Sequence, residues 1–184
     1  MIILAVDPGI TRPAIAIIND RFGSEHVYTC DFRVLKGALD FPFRLEILRQ
    51  KVQGFIDRNY TRFISAYDRA FLVIEQPEHH NSLKGKKAEE RGDIVKLSMT
   101  AGLFFTLFSG AHNFESRIFL TPSKWKGQVP KSVTRSRMEQ LYGSDVVSAK
   151  MSDDEVDALG LASFLYESIN NKPFPARKVS KTTN

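Results

Sequence analysis

Ile2-Ile-Leu-Ala-Val-Asp7, then Pro8-Gly-Ile-Thr-Arg-Pro13, then Ala14-Ile-Ala-Ile-Ile-Asn19 is the stretch that decides the fold. Ile2 to Val6 is nearly continuous in apolar residues, as expected of a strand buried on both faces. Asp7-Pro8-Gly9 is a strong turn signal and stops it. Ala14 to Ile18 is a second such run, stopped by Asn19-Asp20. Two apolar runs joined across Pro8 to Pro13 predict an antiparallel hairpin. Working outward, Val27 to Val34 reads as a weaker third strand, completing a meander. Phe43 to Tyr60 carries Leu45, Leu48, Val52, Phe55 and Ile56 on a helical period. Phe71 to Ile74 is a fourth, very apolar strand, ended by Glu75-Gln76-Pro77. The polar stretch Glu78 to Gly92 reads as a loop. Asp93 is expected to cap a helix running to about Phe108, with Ile94, Leu97, Ala101, Phe104 or Phe105, and Phe108 inward. Ile118 to Leu120 is a fifth strand. Lys131 to Tyr142 is a short basic helix closed by Gly143. Ser152-Asp153-Asp154-Glu155 fits a capping box and starts a last helix reaching about Asn170.

The later strands alternate with helices, so they should add in parallel. The expected architecture is therefore α/β: a mixed five-stranded sheet, an antiparallel meander plus parallel strands, flanked by helices. Residues 1–170 read as one domain, and residues 171–184 as a basic, disordered tail.

The chain has 184 residues, 42% of them apolar, with 14 Phe, enough for a sizeable core. Its one cysteine, Cys30, excludes an intrachain disulfide and fits a reducing, cytoplasmic setting. Asp7 interrupts the N-terminal apolar run too early for a signal peptide. The longest apolar stretch, Met99 to Ala111, falls short of the roughly 20 residues of a membrane span.

The net charge of +5 is unevenly placed. Ser116 to Met138 holds Arg117, Lys124, Lys126, Lys131, Arg135 and Arg137 with no acid. Lys172 to Asn184 holds four further basic residues and no acid. Between them, Asp145 to Asp157 has five acids against Lys150. The basic blocks point to a polyanion partner. An acidic cluster beside them works against phosphate binding unless a cation sits there.

Four acids stand at structural ends. Asp7 and Glu75 each follow a buried strand, so parallel pairing of those strands brings both out at one sheet edge. Asp154 and Asp157 are three apart near a helix start and share a face. Converging carboxylates repel one another, and each raises its neighbours' pKa values unless a cation intervenes. Oxygen-only ligands suit Mg²⁺ or Mn²⁺. Two such ions about 4 Å apart activate water and stabilise the leaving oxygen in phosphodiester hydrolysis. Singly, each acid also reads as turn, capping or helix-dipole chemistry. Asp153 and Glu155 are the internal controls, expected to cap or face solvent.

Ile3 to Thr11, Leu72 to Gln76 and Asp154 to Ala162 resemble, in order and spacing, the three acidic motifs of RuvC-type Holliday junction resolvases. That family belongs to the ribonuclease H-like nuclease superfamily. The resemblance implies a metal-dependent endonuclease with Mg²⁺ (or Mn²⁺), two ions per site. It implies a homodimer that resolves four-way junctions in branched DNA by paired nicks. By motif position, Asp7, Glu75, Asp154 and Asp157 are the implied catalytic metal ligands. Lys126 and Lys131 are the best matches to the family's phosphate-contacting lysines. Lys84, Lys86, Lys87, Lys124, Arg135 and Arg137 join them as DNA-holding candidates, expected to read backbone more than base. The segment Pro122 to Val133 looks more like that of bacteriophage members, which implies a host cytoplasm. Where cellular members carry an aromatic residue after the strand-four Glu, this chain has Pro77-Glu78-His79-His80. Trp125, a lone tryptophan among lysines, reads first as a core anchor and second as a base-stacking residue.

Other readings stay open. One is general debranching of Y-forks and flaps. Another is a sugar-kinase or actin-like ATPase, whose first phosphate loop Asp7-Pro-Gly-Ile-Thr11 also resembles, although that architecture needs two such domains. The third is a branched-DNA-binding protein without chemistry.

Overall fold

The computed structural model describes residues 1–20, 27–34, 40–78 without 61–68, 90–127 and 129–171. His79, His80, Lys84, Lys86, Lys87 and the basic tail from residue 172 lie outside the described residues.

Five strands form one sheet: β1 (Ile2–Asp7), β2 (Ala14–Asn19), β3 (Val27–Asp31), β4 (Ala70–Glu75) and β5 (Ser116–Leu120), in the order β3-β2-β1-β4-β5. β1 pairs with β2 antiparallel, Asp7 opposite Ala14, and β2 pairs with β3 antiparallel. β1 pairs with β4 parallel, with Val6 opposite Ile74, and β4 pairs with β5 parallel. The expected mixed sheet is therefore the observed one. β1 is central, which is why its sequence is apolar at every position from Ile2 to Val6 rather than at alternate ones.

The helices are α1 (Phe41–Phe55), continued by a π-helical turn over Ile56–Tyr60, α2 (Asp93–Ala111), the short α3 (Pro122–Trp125), α4 (Lys131–Tyr142) and α5 (Asp153–Asn170). Side chains alternate across each strand and divide the core in two. On one face Ile2, Leu4, Val6, Ile15, Ile17, Leu72 and Ile74 pack with Leu48, Val52 and Phe55 of α1 and Phe104 and Phe108 of α2. On the other, Ile3, Ala5, Ala14, Ala16, Ile18 and Val73 pack with Met138 and Tyr142 of α4 and with α5. The alanines on this second face leave room for α5 to lie close over β1 and β2.

α2 departs from expectation at its start. Gly92, with φ 67°, occupies the N-cap, and Asp93 is the first helical residue, taken up by Arg91 (2.9 Å) and Lys96 (3.3 Å). A left-handed backbone favours glycine at that position, so Asp93 is shifted into the first turn. α2 is also 19 residues long, and by length and composition alone it is long and apolar enough to cross a membrane. Phe104 and Phe108 nevertheless sit in the core beneath the sheet, while Val95 and Met99 face outward.

α5 begins as read. The Ser152 hydroxyl accepts from the Glu155 amide (3.2 Å), and the Glu155 carboxylate accepts from the Ser152 amide (2.9 Å). α4 is fixed to α5 by the buried Tyr142 hydroxyl, 2.7 Å from Ser163 Oγ.

Candidate functional site

Parallel pairing of β1 and β4 puts Asp7 and Glu75 one residue beyond the Val6–Ile74 register pair, at one end of the sheet. α5 starts at that same end. Asp154 and Asp157 lie on one face of its first turns, and both reach Lys131 Nζ, at 3.1 and 3.6 Å. Asp157 is buried. The four predicted acids are thus brought together.

The charges register the crowding. Burial pushes the Asp7 carboxyl well above the ordinary carboxylate range, and the charges of Glu75, Asp154 and Asp157 push it further, against the pull of Lys126. Glu75 is also raised, by burial first, although Lys126 and the Trp125 N–H oppose it. Lys126 reaches Asp157 Oδ2 at 3.0 Å and Glu75 Oε2 at 3.4 Å. Burial tends to deprotonate both lysines, but the surrounding acids win and hold the ammonium of each above its usual pKa. Two cations among four acids leave a formal excess of two negative charges.

Among the described residues no group of three or more acid, histidine or cysteine side chains is close enough to hold a metal ion as arranged. Two ammonium groups lie between the carboxylates instead. The donor set nevertheless fits a hard divalent cation. All four ligand candidates offer oxygen alone. Among the described residues Asp157 Oδ1 is buried with no hydrogen-bond partner, a costly state for a carboxylate oxygen and one that a cation relieves.

The basic candidates separate. Lys126 and Lys131 stand in the acid cluster. Lys124 is exposed beside it on α3. Arg137 lines a cleft of about 360 Å³ between α4 and α5 with Trp125, Gln140, Gly160 and Glu167. Arg135 is engaged by the fold: its guanidinium donates to the Met151 carbonyl (2.8 Å) and to Asp153 (3.0 Å). Asp153 and Glu155 both face away from the cluster, Glu155 accepting also from Thr29 Oγ1 at 3.0 Å.

Trp125 was legible as an anchor but not as part of the site. Its ring lies on α5 at Gly160 while its Nε1–H donates to Glu75 Oε2 at 2.9 Å. The only sequence signal was its place between Lys124 and Lys126.

No family model and no curated protein matches the sequence. Among solved structures, the chain is similar to RuvC of Thermus thermophilus, with 13% identity and a TM-score of 0.59 over 95% of this chain and 99% of that one. It is similar in the same degree, at 12% identity and a TM-score of 0.59, to T. thermophilus RuvC in complex with Holliday junction substrate, again over 95% and 99% of the two chains. The likeness is one of fold, and the chain has the ribonuclease H-like fold of these structures.

Proposed function

We propose that this protein is a metal-dependent endonuclease on branched DNA that resolves four-way junctions by paired nicks. The observation that carries the reading is the convergence of Asp7, Glu75, Asp154 and Asp157 at one sheet edge, with a buried, unpartnered carboxylate oxygen among them. The fold supports it, since one similar structure holds a Holliday junction.

Asp7, Glu75, Asp154 and Asp157 would hold Mg²⁺ or Mn²⁺. Bound there, the metal supplies Lewis-acid polarisation of a phosphoryl oxygen and a more acidic water. The protein's own part is positional. β1 and β4 carry Asp7 and Glu75 on rigid strand ends, and the Ser152 cap fixes the turn that bears Asp154 and Asp157. Lys126 and Lys131 neutralise the carboxylates and stand ready for the charge of an incoming phosphate. Lys124 and Arg137 extend the positive surface on the same side, and Lys84, Lys86 and Lys87 belong to the proposed DNA track by sequence. A homodimer is part of the reading, supported by the exposed Val95 and Met99 on α2 and Phe119 on the edge strand β5. The phage-type assignment rests on the Pro122 to Val133 segment alone.

A broader debranching activity has one observation in its favour. Gln76-Pro77-Glu78 follows the strand-four acid with no aromatic side chain, and the Glu78 carboxylate accepts from the Ser123 amide at 3.0 Å. Cleavage of four-way junction, Y-fork, linear duplex and RNA–DNA hybrid in Mg²⁺ and Mn²⁺, with product ends mapped, decides between the two. Asp7→Asn should abolish cutting and leave junction binding intact. Retained cutting would sink the site assignment.

A further inference from the structure

We propose that Trp125 is a positioning residue for Glu75, with Gly160 as the seat that lets it reach. The proposal rests on reading the four carboxylates as a metal site, and it adds a residue that neither the acidic motifs nor the basic block assigns.

Glu75 has the longest side chain of the four acids and stands at the very end of β4. A strand end fixes its backbone but not its carboxylate. Of the two groups among the described residues that touch that carboxylate, one is Lys126, a flexible cation that an incoming metal or phosphate competes for. The other is the indole N–H, a neutral donor on a ring with few rotamers. Indole nitrogen can only donate, so this contact holds Glu75 as an acceptor in any ionic state of the site. Both contacts fall on Oε2, which leaves Oε1 as the oxygen for a ligand.

The seat explains a glycine inside a long helix. Gly160 lies mid-way along α5, where glycine is a poor helix former. A Cβ built there would lie 2.9 Å from Trp125 Cζ3, closer than packed atoms tolerate, and 3.3 Å from Thr134 Cγ2, a tight contact. The absence of that carbon lets the indole lie against the helix and extend its nitrogen to Glu75. The same ring carries Lys126 Nζ 4.7 Å from its centroid, so it steadies the lysine that bridges Glu75 and Asp157.

Trp125 is the sole tryptophan of the chain, which makes the test spectroscopic. The full-length protein, free of DNA, is titrated with MgCl₂ and MnCl₂ while metal binding is followed by calorimetry and Trp125 emission by fluorescence. Emission should change with the same midpoint as the calorimetric binding. Trp125→Phe keeps the ring and removes the donor. It should weaken metal binding about 10- to 100-fold, as loss of an outer partner to a ligand does. It should also lower kcat on a junction with KM little changed. Gly160→Ala, which leaves the indole intact, should weaken metal binding in the same direction, and the double variant should be no worse than the more severe single one. Should Trp125→Phe not fold, the wild-type titration and Gly160→Ala still decide. Metal binding by the wild type with silent emission, or a folded Trp125→Phe within twofold of wild-type affinity, overturns the positioning role and leaves the metal site standing. Absence of any metal binding by the wild type overturns both.

Discussion

Four acids lie within the first five residues of α5, and they divide into two pairs with opposite uses. Asp153 and Glu155 are matched by the fold: Arg135 takes the first, and Ser152 and Thr29 take the second. Asp154 and Asp157, on the adjoining face, look across at Asp7 and Glu75 and, among the described residues, pair with lysine ammonium groups. Composition does not distinguish the pairs. Angular position on the helix does, since residues three apart share a face that neighbours in sequence do not. An acid answered by a capping donor is a finished local structure. One that faces other acids leaves a charge that only a cation settles.

The sharpest way to break this division is to exchange the pairs in one assay. Asp157→Asn should reduce junction cleavage by about 10³-fold or more, as loss of a group at the reacting centre does. Asp153→Asn should cleave within a few-fold of wild type. Equal losses in rate per folded molecule would show that the division is wrong.

A second test uses pH. The folded Asp7 carboxyl is raised, by burial first and then by Glu75, Asp154 and Asp157. The folded state therefore binds this proton more tightly than the unfolded chain does. By linkage, stability falls as pH rises from about 4 through the folded pKa, and the protonated form is the comfortable one. Without divalent metal, Asp7→Asn should melt above wild type at pH 7 to 8, with the gain shrinking as pH approaches 4. Thermal melts across that range check it. A gain that grows toward acid would mean that the acids are not crowded against one another.

The fold was far more legible than the side-chain traffic at the site. Apolar runs at Ile2 to Val6 and Phe71 to Ile74 could only be central strands, and a turn after each fixed where Asp7 and Glu75 emerge. Ser152 and Glu155 announced their cap because its chemistry is local. What stayed hidden depends on contacts distant in sequence. Trp125 meets a carboxylate 50 positions earlier. Arg135 looked like a phosphate ligand until the turn at Ser148 to Met151 folded back over it. α3 has four residues, too few for any periodicity to show. Gly92 displaced the expected Asp93 cap through a backbone angle that sequence does not encode locally.

Glu155 allows a smaller test on the structural side of the comparison. Glu155→Ala removes one half of the capping box and the Thr29 contact. It should cost about 1 kcal/mol of stability, within the usual range for a lost cap. Cleavage per folded molecule should persist, because the Ser152 hydroxyl still accepts from the amide at position 155 and Asp154 and Asp157 keep their lysine contacts. A loss of rate without a loss of stability would move Glu155 into the site.

The smallest effect separates two cations that look alike in sequence. Lys131 and Arg135 stand one helical turn apart on α4, yet Lys131 pairs with site acids and Arg135 with the fold. Each phosphate contact contributes about 0.9 to the slope of log affinity against log salt on duplex DNA. Junction binding measured over a salt series in Ca²⁺ should therefore lose about that much slope in Lys131→Ala. Without divalent metal the same substitution should change the slope less, because Asp154 and Asp157 already occupy the ammonium. Arg135→Ala should leave the slope alone in both conditions and lower the melting temperature instead, since Met151 and Asp153 lose their donor. If Arg135 moved the slope and Lys131 did not, the DNA would run along the outer face of α4 rather than across the carboxylates.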